Sequence, residues 1–256
     1  MTGVQTCALP ISSDLRVEQA LKDAGLTAEQ VSLDGNSVRA RFAGTDTQLK
    51  AKDAVQKALI PDAADPHLWM DPVLWAEASG SIAPALARLL PDHASMFEAN
   101  LATLRSRLAA LHEYGARVMA SIPPRQRLLV TAHDAFGYFA ARYGLEVDSI
   151  QGLSTESEAN LARIEALVRA LVDRRIPAVF SESSVPDRAV RALIEGAGAR
   201  GLRVALGGTL FSDSMGKPGS YEGTYHGMLD HNFTTIARAL GGDAPARGML
   251  GRLTPS

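Results

Sequence analysis

Between Asp92 and Ser121 apolar residues recur at steps of four and three: Phe97, Leu101, Leu104, Leu108 and Leu111, with Val118 continuing the stripe. That spacing keeps side chains on one face of a 3.6-residue helix. At 1.5 Å per residue, about 30 residues make a rod about 45 Å long. Pro123 and Pro124 stop it, because proline lacks the amide donor that a continuing helix needs. A rod with one apolar face lies against something along much of its length. In a chain of 256 residues it serves as a spine between two lobes, and most other choices about the fold follow from it.

Beyond the stop the chain alternates strands and helices. Short apolar runs at 127–132 (RLLVTA) and 179–181 (VFS) predict strands, with weaker ones at 147–150 (VDSI) and 202–206 (LRVAL). A helix over 156–174 opens with a capping box, Thr155 and Glu158, and carries the stripe Leu161, Ile164, Val168 and Leu171. Further helices fall at 187–199 and at about 224–240, the latter with Met228, Leu229, Ile236 and Leu240. Strands separated by long helical stretches predict an α/β fold with parallel sheets covered on both faces.

Ahead of the rod, a helix runs from about Pro72 to Leu90, broken by Gly80 or kinked near Pro84. Two Asp-Pro steps, at 65–66 and 71–72, bracket His67 on a constrained loop. The first sixty residues differ in character. Residues 17–26 read as a short helix ending at Gly25, residues 31–42 as two strands around a turn from Asp34 to Asn36, and Thr45 to Leu59 as a second helix. Segment 16–60 resembles a periplasmic stretch of the SecD protein-export subunit, and residues 1–12 resemble translated sequencing-adapter read-through. The expected division is therefore an artefactual or disordered tail over 1–15, a small α/β segment over 16–60 that is either an unrelated fragment or a divergent N-terminal lobe, and the remnant of an N-terminal lobe over 61–91. The long helix follows at 92–122, a C-terminal α/β lobe at 123–243 and a tail at 244–256.

Composition narrows the function. The formal net charge is -2 and no Lys/Arg block stands out, which argues against a nucleic-acid partner. With Cys7 as the single cysteine, neither an internal disulfide nor a thiolate metal cluster can form. No run approaches the roughly 18 apolar residues of a membrane span. Residues 1–12 lack the basic start and apolar run of a secretory signal, so an exported parent would begin upstream.

Ligands in such sheets collect at the carboxyl ends of strands. His133 follows RLLVTA, Asp213 comes shortly after Gly207-Gly208, Glu182 ends the VFS strand, and His67 waits on its bracketed loop. Each also has a plain structural reading: a packed imidazole, a turn cap, a helix cap. Two imidazoles and one carboxylate together supply nitrogen and oxygen donors suited to Zn²⁺, Mn²⁺ or Fe²⁺. They are so far apart in sequence that only tertiary folding could unite them. His93, His112, His226 and His231 are read as surface residues.

The motifs DPHLWMDP, TAHDAFGYFAARYGL, QGLSTESEAN, VFSESSVP, GGTLFSDSMG and TYHGMLDHNFTTIARAL occur in this order over residues 65–243. That region resembles the periplasmic solute-binding receptors of zinc and manganese ABC importers. The resemblance implies two α/β lobes with parallel sheets flanked by helices, joined by one long rigid helix, here with an incomplete N-terminal lobe. It implies metal ligation by His67, His133 and Asp213, with Glu182 behind them, and transport of Zn²⁺ or Mn²⁺, with Fe²⁺ as a third candidate. It also implies a monomer that docks on the membrane permease of a metal ABC transporter, in the periplasm or anchored outside the cytoplasmic membrane. Such receptors have a fourth ligand, an early histidine, and none of residues 1–64 is a histidine. Weak metal binding is the corresponding expectation for this chain. Two rivals stand beside the receptor: a zinc-dependent hydrolase with Glu182 as base, and an adhesin of the same fold. No HExxH, Gly-x-Ser-x-Gly or phosphate-binding glycine loop supports an enzyme.

Overall fold

The structure, a computed structural model, describes residues 7–8, 21–22, 24–34, 37–41, 47, 65–152 and 161–254. The chain divides into two compact units, Met1–Pro66 and His67–Ser256.

In the first unit, β1 (Cys7–Ala8), β2 (Gln30–Asp34) and β3 (Ser37–Arg41) form an antiparallel sheet in the order β1-β3-β2. Asp34 pairs with Ser37, closing the hairpin, while the turn positions 35 and 36 lie outside the described residues. The predicted first helix is seen at Leu21–Lys22 and ends at Gly25, whose φ of +66° a side chain would resist. The helix expected over Thr45 to Leu59 lies outside the described residues except at Thr47.

The second unit opens with a 3-10 turn at Leu68–Met70, then α1 (Pro72–Ser79) and α2 (Ile82–Leu89). Asp71 caps α1, its Oδ1 accepting the amides of Val73 (2.8 Å) and Leu74 (3.4 Å). The break falls at Gly80, which places Pro84 in the first turn of α2, where a missing amide costs nothing. The rod is α3 (Ala94–Ala120), 27 residues and about 40 Å long. Its buried residues are confined to the second half, Leu108, Leu111, Tyr114, Gly115, Val118 and Met119. Phe97, Leu101 and Leu104 of the expected stripe are only partly covered. Contact along much of its length was the expectation; full burial is confined to the second half, while α1 and α2 also pack on the helix.

After the proline stop, β4 (Leu128–Thr131) pairs in parallel with β5 (Glu146–Ser149), the two joined by α4 (Gly137–Tyr143). Helix α5 (Leu161–Arg174) leads to β6 (Ala178–Glu182), which pairs in parallel with β7 (Ala205–Leu210) across α6 (Arg188–Ala199). Helix α7 (Tyr225–Ala239) packs against α3 and β7. Strands β4 and β6 are buried at every residue, and their apolar runs 128–130 and 178–180 reflect that burial. The capping box at Thr155 and Glu158 lies outside the described residues, and Leu161 is exposed rather than part of the buried stripe of α5.

Strand β7 begins three residues later than predicted and runs on through Gly207 and Gly208, past the predicted end at Leu206. A Cβ at Gly207 would come within 2.7 Å of the Phe180 ring and 2.8 Å of Ala239, and Gly208 has φ of +139°. The glycines let helix and sheet approach closely, and the register of β6 and β7 shifts between Val179 and Ser181. The core centres on Phe233, stacked on Phe139 (5.2 Å between centroids) and met edge-on by Tyr143 (5.0 Å).

Candidate metal centre

His67 stands at the head of the 3-10 turn, 3% exposed. Two contacts pin the turn to the rest of the unit: Trp69 Nε1 donates to the Ser212 carbonyl (3.0 Å), and the Tyr225 hydroxyl donates to the Trp69 carbonyl (2.7 Å). Asp71 adds a third tie, its Oδ2 accepting from Arg142 Nε at 2.7 Å. The Trp69 ring meets the His67 imidazole edge-on at 5.2 Å.

His133 follows β4 and is fully buried. Thr131 Oγ1 donates to its carbonyl (2.8 Å), and its own amide donates to Glu182 Oε1 (2.8 Å). The other carboxylate oxygen, Oε2, lies 2.7 Å from ring Nδ1. That approach is close but poorly aligned, so Nδ1 and Oε2 fall short of a full hydrogen bond. Ring Nε2, buried and likewise without a hydrogen-bond partner, points the other way. Burial pulls the His133 imidazole down, but the Glu182 contact and the charges of Glu182 and Asp213 outweigh it and hold its pKa above the ordinary value.

Asp213 follows β7, with its side chain 38% exposed. Asn232 of α7 clamps the strand's end by accepting from the Phe211 amide (3.0 Å) and donating to the Phe211 carbonyl (2.7 Å). Ser212 is buried, its hydroxyl 3.3 Å from that of Ser184.

These elements bring His67, His133 and Asp213 together. His67 Nε2 lies 3.2 Å from Asp213 Oδ1, and His133 Nε2 lies 3.3 Å from Asp213 Oδ2. One donor atom from each residue falls within 4.8 Å of the others. Bonds of about 2.0–2.1 Å to a tetrahedral ion place neighbouring donors about 3.3 Å apart, close to the two imidazole-to-carboxylate distances here, which run to different oxygens of Asp213. The donor set is two imidazole nitrogens and a carboxylate, with two members buried and the third open to solvent. Such a pocket can hold a divalent cation and lets it enter from one side.

Glu182 is not among the converging donors; it backs His133. Three histidines read from sequence as surface residues are partly buried. His226 is half-buried and its pKa is lowered, by burial first and then by the Arg107 charge. His231 Nε2 is 2.9 Å from the Thr209 carbonyl, and His112 Nδ1 is 3.3 Å from the Tyr143 hydroxyl. Only His93 matches the surface reading. The supporting residues Trp69, Ser212 and Asn232 were not foreseen. The one signal available was their place inside the motif strings that also carry the ligands.

Comparison with known proteins supplies the remaining evidence. The family model described as ZnuA, zinc-uptake complex component A, periplasmic, matches residues 4–239, reaching beyond the region 65–243 marked by the motifs. The chain is 43% identical over 176 residues to the manganese-binding lipoprotein MntA of Bacillus subtilis (strain 168), covering 69% of this chain and 58% of that protein. It is 44% identical over 176 residues to the zinc-binding protein TroA of Treponema pallidum (strain Nichols), covering 69% and 57%. A third relative is the metal ABC transporter substrate-binding lipoprotein FimA of Streptococcus parasanguinis, 30% identical over 179 residues and covering 69% and 55%. The chain thus spans a little over half the length of the curated relatives it matches. The solved structure of the Treponema pallidum periplasmic zinc-binding protein superimposes with a TM-score of 0.66 over 69% of this chain and 64% of that one. The α/β metal-receptor fold, with small parallel sheets flanked by helices, is shared with it. On the family match over residues 4–239, the chain belongs to the family of the periplasmic zinc-uptake component ZnuA.

Proposed function

We propose that the protein is an extracytoplasmic solute-binding receptor that captures Zn²⁺ or Mn²⁺ and delivers it to the membrane permease of an ABC importer. The observation that carries this reading is the convergence of His67, His133 and Asp213, one donor atom of each within 4.8 Å of the others. In it the three side chains are the cargo ligands. A pocket with one exposed carboxylate and two buried imidazoles suits a cargo that must leave again. The family supports the pairing with an importer, and a relative's own name, FimA, carries that role.

No chemical step belongs to this function. A hydrolase would need a base free to act on a metal-bound water, and Glu182 has both oxygens turned to His133. The identity of the cation is open between relatives that are 43% and 44% identical and are named for manganese and zinc respectively. Intrinsic affinity of nitrogen and oxygen donors favours Zn²⁺ over Mn²⁺. Three protein donors leave one place on a tetrahedral ion to water.

Calorimetric titration of Zn²⁺ and Mn²⁺ into the protein tests the reading. One-to-one binding, tighter for Zn²⁺, is expected. His133→Ala and Asp213→Ala should each weaken it by more than the roughly 10–100-fold that follows loss of an outer partner. Binding that survives both substitutions unchanged would place the metal elsewhere and defeat the assignment.

A further inference from the structure

We infer that Glu182 is a positioning residue that holds His133 in the Nδ1–H tautomer and so reserves the Nε2 lone pair for the cation. This rests on the receptor reading and names a part of the chain which that reading leaves without a role.

The argument begins with what each buried atom can do. A neutral imidazole has one N–H and one lone pair, and whichever nitrogen carries the proton cannot bind a metal. His133 is fully buried, so no solvent chooses between its tautomers. Its two ring nitrogens face carboxylates on opposite sides: Glu182 Oε2 at 2.7 Å from Nδ1, Asp213 Oδ2 at 3.3 Å from Nε2. The two carboxylates are not equivalent. Glu182 is 3% exposed and fixed at the end of β6, while the Asp213 side chain is 38% exposed and can be hydrated. The nearer, drier acceptor takes the proton.

Glu182 cannot turn away, because Oε1 accepts the His133 backbone amide at 2.8 Å. Ring and backbone of one residue are thus gripped by the two oxygens of another. The 2.7 Å contact is poorly aligned as it stands, and hydrogen bonds to a ligand of this kind tighten when the partner arrives. A cation on Nε2 draws density from the ring, and the carboxylate behind it restores ligand basicity.

Both Glu182 oxygens act as acceptors, so the isosteric amide is a sharp probe. In Glu182→Gln one acceptor becomes an NH₂ donor. If the remaining oxygen keeps the backbone amide, the NH₂ faces Nδ1 and drives the proton to Nε2, where the cation should bind. Glu182→Asp keeps two acceptors on a shorter stem.

The test is long-range ¹H–¹⁵N NMR of the metal-free full chain, at alkaline pH where the imidazole is neutral, with Zn²⁺ calorimetry on the same samples. The expected result is an Nδ1–H tautomer for His133 in the wild type and in Glu182→Asp, an Nε2–H tautomer in Glu182→Gln, and a 10–100-fold loss of Zn²⁺ affinity in Glu182→Gln. A wild-type His133 already in the Nε2–H form overturns the inference, whatever the variants do. So does Zn²⁺ affinity unchanged in a folded Glu182→Gln, an outcome that leaves the receptor reading standing. An Nδ1–H tautomer in a wild type that takes up no Zn²⁺ defeats the receptor reading, and the positioning role with it.

Discussion

Trp69 stands two residues beyond His67 and reaches the carbonyl of Ser212, the residue before Asp213, across 143 positions of sequence. It therefore couples the two ligands that lie on different loops. Trp69→Phe keeps most of the ring and deletes the donor. The Ser212 carbonyl then loses a hydrogen bond with a net value of about 0.5–1.5 kcal/mol, and the Asp213 loop loses its tie to the His67 turn. The expected outcome is a modest fall in thermal midpoint together with a Zn²⁺ affinity lowered by less than in His133→Ala; calorimetry and a melting curve on one variant read both. A variant with unchanged affinity would mean that Asn232 alone poses the Asp213 loop. At this scale the sequence was informative about the residues that converge and nearly silent about their supports. His67, His133 and Asp213 are visible because strand exits and Asp-Pro turns have local signatures. The Trp69 bond has none, since its partner is set by tertiary folding. The half-buried states of His112, His226 and His231 were hidden for the same reason: one helix face cannot be told from another until its neighbours are known.

Among the elements, the contact of α3 with α7 depends on Gly115. A Cβ there would meet three atoms of the Phe233 ring at 2.5, 2.6 and 2.9 Å. The ring cannot retreat, because Phe139 and Tyr143 hold its other sides. Gly115→Ala gains about 1 kcal/mol in helix propensity and incurs overpacking of about 1–3 kcal/mol. With the ring locked, the upper end applies, and a net loss of about 1–2 kcal/mol is expected in urea unfolding. A stabilised variant would show that α7 can shift. Helix α7 carries a second device, the fully buried Asp230. Its carboxylate accepts from the Met249 amide (2.8 Å), the Tyr221 hydroxyl (3.0 Å) and the Thr234 hydroxyl (3.2 Å), fastening the chain after α7. Burial raises its pKa above the ordinary 3.8, with those hydrogen bonds opposing. The folded state then keeps a proton that the unfolded chain has already lost. The Asp230 contribution is therefore complete below the unfolded pKa and declines as pH rises through the folded one. Compared with Asp230→Asn, the wild type should gain in relative stability on mild acidification, read as diverging urea midpoints; a constant gap would contradict the burial argument. Sequence periodicity located these helices well, since amphipathic spacing is a local property. It stopped β7 too early, at Leu206, because Gly207 and Gly208 have weak strand propensity and the helix pressed against them is not visible in the sequence.

For the molecule as a whole, the division into two units falls directly before His67. His67, His133 and Asp213 all belong to the unit His67–Ser256, and so does the contiguous apolar core running from Met70 to Ala244. No histidine lies in residues 1–64, and the single cysteine there, Cys7, is the chain's only thiol. All six histidines thus lie in the second unit, while the first holds the thiol of Cys7 and carboxylates as its possible side-chain donors of those types. A chain starting at His67 should fold cooperatively and bind Zn²⁺ within a few-fold of the full-length protein, because it keeps all three donors, the Glu182 backing and the Trp69 tie. The decisive comparison is calorimetry of the two chains side by side. Equal affinities assign the whole binding free energy to residues 67–256. A loss of tenfold or more, about 1.4 kcal/mol, in a shortened chain with an unaltered melting curve would instead require a donor among the first 66 residues. Given the side chains present there, that donor would be an aspartate, a glutamate or Cys7, and scanning those residues of the first unit would find it.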